Sequence, residues 1–153
     1  MKTEMSGYLL KSDVHLCFDR YHEYSIKGSA RMASCTASRG YLLTVNTPML
    51  SRKLLLNNYS NKMQLNSLII HEILGDSSYL TDATQLHTIV VKGNDPVPTA
   101  VSKGHKSTRL DLYSVHEEPD SLIVQQAMAS AANPVSCTVV LADDTDIFDP
   151  LYF

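Results

Sequence analysis

The most informative stretch of the sequence is residues 139–146, which read VVLADDTD. Four apolar residues typical of a buried strand are followed by three carboxylates within four positions. Carboxylates this close raise one another's pKa values and destabilise the folded state, unless a cation or hydrogen bonds compensate them. A divalent metal ion suits such a set of oxygen ligands. We therefore expect a strand over residues 136–142 that ends at a metal-binding acidic cluster.

A second acidic cluster lies earlier in the chain, at residues 117–120, which read EEPD. Pro119 suits the first turn of a helix, and acidic side chains are favoured at the positive N-terminal end of a helix. The predicted helix runs to about Ala132, where Asn133 and Pro134 terminate it. Because a strand follows this helix, the two acidic clusters are expected to come together.

Short apolar runs predict three further strands. Residues 14–18 form a strand that ends at Asp19, and residues 88–91 and 99–102 form two more. Residues 103–107, KGHKS, superficially resemble a phosphate-binding loop, but they lack the glycine–lysine pair and the upstream glycine. We interpret them as a surface turn.

An amphipathic helix is predicted over residues 61–74. Its apolar side chains recur with helical spacing along one face. Asn58, Ser60 and Asn61 are candidate N-caps, and Gly75 is expected to end the helix.

This order of strands and helices predicts an α/β domain. We expect three layers, with a central and mostly parallel sheet between flanking helices. One domain would span residues 1–153, with residues 1–12 as an N-terminal tail. In open α/β sheets, ligands bind at the carboxyl ends of the strands. Asp19 and the cluster at residues 143–146 are both expected at that edge.

Composition supports a folded domain. Hydrophobic residues make up 44% and charged residues 19% of the 153 residues, which excludes the polar, charge-rich composition of a disordered chain. Three cysteines at wide spacings are expected to be reduced and partly buried. No apolar stretch is long enough for a membrane helix. We therefore expect no membrane partner and an intracellular location, nuclear or cytoplasmic.

Charge is divided unevenly along the chain. Residues 1–63 contain nine basic and four acidic side chains, whereas residues 64–153 contain four basic and twelve acidic ones. Such asymmetry suits a protein that holds a polyanion with one part and a metal ion with the other, although two oppositely charged halves can also simply attract each other. Candidate phosphate and base contacts are Arg20, Tyr21, Tyr24, Lys27, Arg31 and Arg39. An ordinary solvated loop remains the alternative for these residues.

Five carboxylates are candidate metal ligands: Asp19, Glu118, Asp120, Asp144 and Asp146. Carboxylate oxygens suit the hard ions Mg²⁺ and Mn²⁺, which can activate a water molecule for attack on a phosphodiester. The alternative is that one cluster complements a helix dipole and the other forms a solvated turn.

The order of these motifs resembles the PIN-like and flap-endonuclease-like nuclease superfamily, with a Phe–Asp strand end, an acidic pair at a helix start, and then Asp-x-Asp. A closer resemblance, over nearly the whole chain, is to a group of uncharacterised animal proteins often associated with mobile elements. The segments that carry it are FDRY at 18–21, YSIK at 24–27, HEE at 116–118 and DDTD at 143–146.

The resemblance implies a metal-dependent nuclease that hydrolyses phosphodiester bonds in DNA or RNA. The five carboxylates named above would be its catalytic residues and metal ligands. Glu117 and Asp143 would lie next to these ligands and support them without binding the metal ion. The first acidic residue of the superfamily has no counterpart here, and the chain ends soon after Asp146. An incomplete domain is therefore expected, either a fragment or a truncated copy, and its activity is left open.

Two other functions remain open. A non-catalytic, nuclease-like scaffold would bind nucleic acid or protein, and a protein partner could cover an incomplete core. A haloacid-dehalogenase-like phosphatase would use Asp144 as its nucleophile and Asp146 as its general acid.

Overall fold

The computed structural model describes residues 2–18, 40–48, 51–56, 58–115, 119–132 and 139–140. Its elements are, in chain order, helix α1 (Lys2–Leu9), strand β1 (Val14–Cys17), helices α2 (Arg52–Leu56), α3 (Tyr59–Gly75) and α4 (Ser77–Ala83), strands β2 (Ile89–Lys92), β3 (Thr99–Ser102) and β4 (His105–Thr108), a 3₁₀ turn (Leu110–Leu112) and helix α5 (Pro119–Ala131). The α/β class is confirmed. Within the described residues, no helix has the length and apolar character needed to cross a membrane.

The four described strands form one mixed sheet in the order β1-β2-β3-β4. Strand β1 pairs with β2 in parallel, from Val14 opposite Ile89 to Cys17 opposite Lys92. The β2–β3 and β3–β4 pairs are antiparallel. The expectation of a mostly parallel sheet is therefore wrong for these strands, because the connections after β2 and β3 are too short for the crossover that parallel neighbours need.

Strands β3 and β4 are joined by a two-residue turn, Lys103–Gly104, in which φ is 50° and 75°. Positive φ at both positions is what a tight hairpin turn with the natural strand twist requires. The expected surface turn is thus confirmed at these two residues. Strand β4, which comes directly after the turn, was missed because its four side chains are polar and exposed, so no alternating pattern marks it.

The core is built on both faces of the sheet. Side chains of α1, α3 and α4 pack with Ile89, Val91 and Val101 in one hydrophobic cluster. Val90 and Ala100, together with Leu112 of the 3₁₀ turn, form a second cluster. Because successive strand residues point to opposite faces, the two clusters lie on opposite sides of the sheet.

Helix α1 belongs to the first of these clusters. Met5 and Leu9, one helical turn apart, are only 3% and 2% exposed. Lys2 Nζ also donates a hydrogen bond of 2.8 Å to Asp76 Oδ2, at the start of α4. The segment that we expected to be an N-terminal tail is therefore part of the core.

The predicted amphipathic helix is confirmed as α3, and Asn58 is the residue that caps it. The Asn58 side chain accepts a hydrogen bond from the backbone N–H of Asn61, as an N-cap should. Gly75 is the last helical residue, and Asp76 then caps α4 by accepting from the N–H of Tyr79. The two helices are thus joined by one residue.

Helix α5 begins at Pro119 as predicted and ends at Ala131. It packs on β1, where His15 Nδ1 lies 2.6 Å from Gln126 Oε1. His15 is in register with Val90, so α5 covers the face of the second cluster. The strand expected over residues 136–142 is contradicted at Val139 and Val140. Both residues lie outside any strand, and Val139 is 75% exposed, whereas a core strand would bury it.

Candidate functional site

Among the predicted metal ligands, Asp120 lies within the described residues, half-buried in the first turn of α5. Outside the described residues lie Asp19, Glu118, Asp144 and Asp146, the supporting Glu117 and Asp143, and the candidate nucleic-acid contacts Arg20, Tyr21, Tyr24, Lys27, Arg31 and Arg39. The part of the chain that the structure describes contains no group of three or more His, Cys, Asp or Glu side chains that could hold a metal ion.

The edge at which the site was expected is formed by the carboxyl ends of β1 and β2. These strands are parallel and in register, and they end together at Cys17 and Lys92. The backbone N–H of Phe18 continues the ladder by donating to the carbonyl of Lys92 at 2.9 Å. Asp19, the next residue in the sequence, lies outside the described residues.

A lysine that sequence reasoning missed lies at this edge. Lys92 ends β2, and its side chain is completely buried. Its Nζ donates hydrogen bonds to the carbonyl oxygens of Asp95, at 2.6 Å, and Ser114, at 3.1 Å. A buried ammonium group is tolerated only when such partners replace its water shell. The sequence pattern places Lys92 at the start of a turn, and only its position at the end of an apolar run hints at burial.

The partner of Lys92, Ser114, lies in the segment that leads to α5. Ser114 is itself buried, and its N–H donates to the carbonyl of Pro96 at 3.0 Å. Gln125 Nε2 of α5 donates to the carbonyl of Tyr113 at 3.3 Å. The backbone at residues 113–114 is therefore held between the turn after β2 and the first half of α5. Three residues further on, the chain reaches Glu117 and Glu118.

Polar side chains of β1 face α5 beside Lys92. His15 and Cys17 alternate with Leu16 along the strand, so they share the face on which Lys92 and Val90 lie. Gln126, which meets His15, is only 3% exposed. Within the described part of the chain, its Nε2 and the Oε1 of Gln125 have no hydrogen-bond partner. Polar groups are thus concentrated under α5, next to the edge.

The thiol of Cys17 is free and half-buried. Burial raises its pKa to about 11, an effect that the nearby charge of Lys92 reduces only in part. A thiol with so high a pKa is protonated at neutral pH and is a poor nucleophile. The expectation of a reduced, partly buried thiol is confirmed for Cys17, whereas Cys35 and Cys137 lie outside the described residues.

An open groove of about 450 Å³ lies on the opposite face of the sheet, between α3 and the turn after β2. His71, Asp95 and Lys106 contribute polar groups to its wall. Gly93 lets the turn approach α3, because a Cβ atom at this position would collide with the Cδ1 of Ile70. None of the predicted site residues that the structure describes lines this groove.

No protein-family model matches the chain, and no curated protein or solved structure gives a significant match.

Proposed function

We propose that this protein is a metal-dependent, nuclease-like domain that acts on nucleic acid. Asp19, Glu118, Asp120, Asp144 and Asp146 would hold Mg²⁺ or Mn²⁺ and carry out catalysis, with Glu117 and Asp143 supporting them. A metal ion bound there would supply an activated water and stabilise charge on the phosphate. Arg20, Tyr21, Tyr24, Lys27, Arg31 and Arg39 would contact the nucleic acid.

The observation that carries the proposal is the convergence of chain segments at the carboxyl edge of β1 and β2. Phe18, which precedes Asp19, pairs with the end of β2. Ser114, which leads to the acidic pair, is hydrogen-bonded to Lys92 at the same place. The segments that lead to Asp19 and to the acidic pair therefore both start from one small region. This edge is where α/β sheets bind their ligands.

The fold that we propose for this function is a PIN-like core with three layers. Its support is the presence of helices against both faces of the sheet, with α1, α3 and α4 on one side and α5 on the other. Antiparallel pairing beyond β2 is a departure that such a core would have to accommodate.

Calorimetric titration of Mn²⁺ into the folded chain tests the proposal. The wild type is expected to bind the ion, and a variant with Asp144→Asn and Asp146→Asn is expected to lose binding because the site loses two charged ligands. Asp120→Asn should weaken binding. Asp82 is exposed on α4, so Asp82→Asn is the matched control and should leave Mn²⁺ binding unchanged. Cleavage assays on single-stranded and flap substrates come next.

A non-catalytic scaffold that binds nucleic acid or protein is the second candidate. Its support is a group of exposed apolar side chains around the 3₁₀ turn and on α5, namely Leu110, Tyr113, Val115 and Met128. Exposed apolar side chains, where they form a continuous patch, often mark an interaction surface. A folded wild type that binds no Mn²⁺ but still binds single-stranded nucleic acid would favour this scaffold over the nuclease.

A further inference from the structure

Lys92 connects the end of β2 to the segment that precedes α5. Its ammonium group donates both to Asp95, within the turn after β2, and to Ser114, which lies 22 residues further along the chain. These two acceptors are backbone carbonyls, so the two contacts hold the main chain at residues 95 and 114 whatever side chains stand there. The bond from the Ser114 N–H to Pro96 closes the same connection from the other side.

The place of this connection matters for the residues that come after Ser114 in the chain. Ser114 is separated by four residues from Pro119, the first residue of α5, and Asp120 is the second. A chain segment of this length can shift the start of a helix by several ångströms if its other end is released. Gln125, which donates to the carbonyl of Tyr113, ties the helix to the same segment.

We propose that Lys92 is a positioning residue of the acidic edge. The proposal rests on the proposed function: by holding Ser114, Lys92 sets where the chain enters α5, and hence where Asp120 and the acidic residues before it stand relative to the end of β1. Lys92 itself would contact neither substrate nor metal ion. It acts through the main chain at residues 113–115.

Two measurements on one set of variants test this role. Lys92→Met keeps most of the apolar stem and removes the ammonium group. We expect hydrogen exchange at the Ser114 amide to become about tenfold faster or more, because the strong, charged hydrogen bond from Lys92 to the Ser114 carbonyl is lost. We also expect the Mn²⁺ affinity to fall about tenfold, which is the usual effect of removing a group that orients metal ligands. Lys92→Arg should give smaller changes of both kinds, because the positive charge and donors are retained.

Matched controls separate positioning from charge and from general stability. Lys106→Met removes the same charge from the exposed strand β4, and it should change neither the exchange of Ser114 nor the Mn²⁺ affinity. Leu80→Ala weakens the core on the other face of the sheet, and it should lower stability without lowering the Mn²⁺ affinity. If Lys92→Met does not fold, the role is tested by comparing Lys92→Arg with the wild type in Ser114 exchange and in Mn²⁺ affinity.

The outcomes distinguish this inference from the proposed function. A folded Lys92 variant whose Ser114 amide exchanges as in the wild type overturns the inference, and so does one that exchanges faster but binds Mn²⁺ as tightly as the wild type. A wild type that binds no Mn²⁺ refutes the proposed function, and the positioning of a metal site falls with it. The exchange data would then still show whether Lys92 holds residues 113–115.

Discussion

Lys2 Nζ lies 2.8 Å from Asp76 Oδ2, and this ion pair joins the first turn of α1 to the residue that caps α4. The ammonium of Lys2 also stands 5.5 Å from the centre of the Tyr79 ring. The hydrogen bond from Lys2, followed by the one from the Tyr79 backbone, lowers the pKa of Asp76 below its ordinary value of 3.8. The same bond to Asp76 raises the pKa of Lys2 above 10.5.

The sign of the resulting pH dependence is fixed by these two directions. The contribution of the Asp76 charge to stability is present above its unfolded-state pKa of 3.8 and is lost as the pH falls through the lower folded-state pKa. We expect Asp76→Asn to flatten this acid-side loss in urea unfolding measured over a range of acidic pH. Asp82→Asn, an exposed change on the same helix, is the control, and an equal flattening by this variant would contradict the prediction.

Two glycines, Gly104 in the turn between β3 and β4 and Gly7 in α1, are expected to respond in opposite ways to substitution by alanine. At Gly104, φ is 75° and a Cβ atom would come within 2.7 Å of Thr81 Oγ1, so Gly104→Ala should lose about 1–2 kcal/mol of stability. Gly7 lies inside α1 with no atom close to an added Cβ, so Gly7→Ala should gain about 0.5–1 kcal/mol. Thermal unfolding of both variants measures the difference. Equal effects would contradict either the helical conformation of Gly7 or the positive φ of Gly104.

The burial of α1 predicts a large cost for truncating Met5. Met5→Ala removes a side chain that is packed in the first hydrophobic cluster, and we expect a loss of about 2–4 kcal/mol in the free energy of unfolding. Leu10→Ala, a truncation of an exposed side chain just after the helix, should change stability by less than about 0.5 kcal/mol. A similarly small effect of Met5→Ala would mean that residues 2–9 do not pack on the sheet in solution.

The next prediction concerns Asn61, which attaches the segment of residues 40–43 to α3. Its side chain is fully buried, and its Oδ1 accepts the N–H of Tyr41 at 2.8 Å. Asn61→Ala leaves that amide without this acceptor, so we expect a loss of about 1–3 kcal/mol and faster hydrogen exchange at Tyr41. Ser67→Ala, at an exposed position of the same helix, is the control. Unchanged exchange at Tyr41 in the Asn61 variant would sink the prediction.

Helix α3 could be predicted from the sequence because its apolar residues recur with helical spacing, and strands β1, β2 and β3 because each lies in a short apolar run. Helix α1 could not, since Met5 and Leu9 alone give no stripe within a polar segment. The mostly parallel pairing was predicted wrongly because an apolar run locates a strand but does not show which neighbour the strand pairs with. In the same way, one carbonyl that accepts a hydrogen bond from the buried Lys92 belongs to Ser114, 22 residues away, and no local pattern connects the two residues.

The candidate site was predictable only in part for a related reason. The start of α5, with Asp120 in its first turn, could be inferred from Pro119 and the acidic residues around it. The grouping of Asp120 with the other four carboxylates depends on long-range placement, and it stays a prediction. Charge and spacing in the sequence indicate which residues are candidates to bind the same ion, but the distances between these residues are set by packing elsewhere in the chain.

The parallel pairing of β1 with β2 also has a kinetic consequence. Val14 and Ile89 are neighbours in the sheet although 75 positions separate them in the chain, whereas β3 and β4 are joined by two residues. Closing the long loop costs chain entropy before any contact offsets it, so a sheet of this kind folds slowly compared with a local hairpin. We expect the β3–β4 hairpin to form early and β1 to join the sheet last. Until β1 joins, the apolar edge of β2 is exposed, and this is the stage at which the chain is most prone to aggregate.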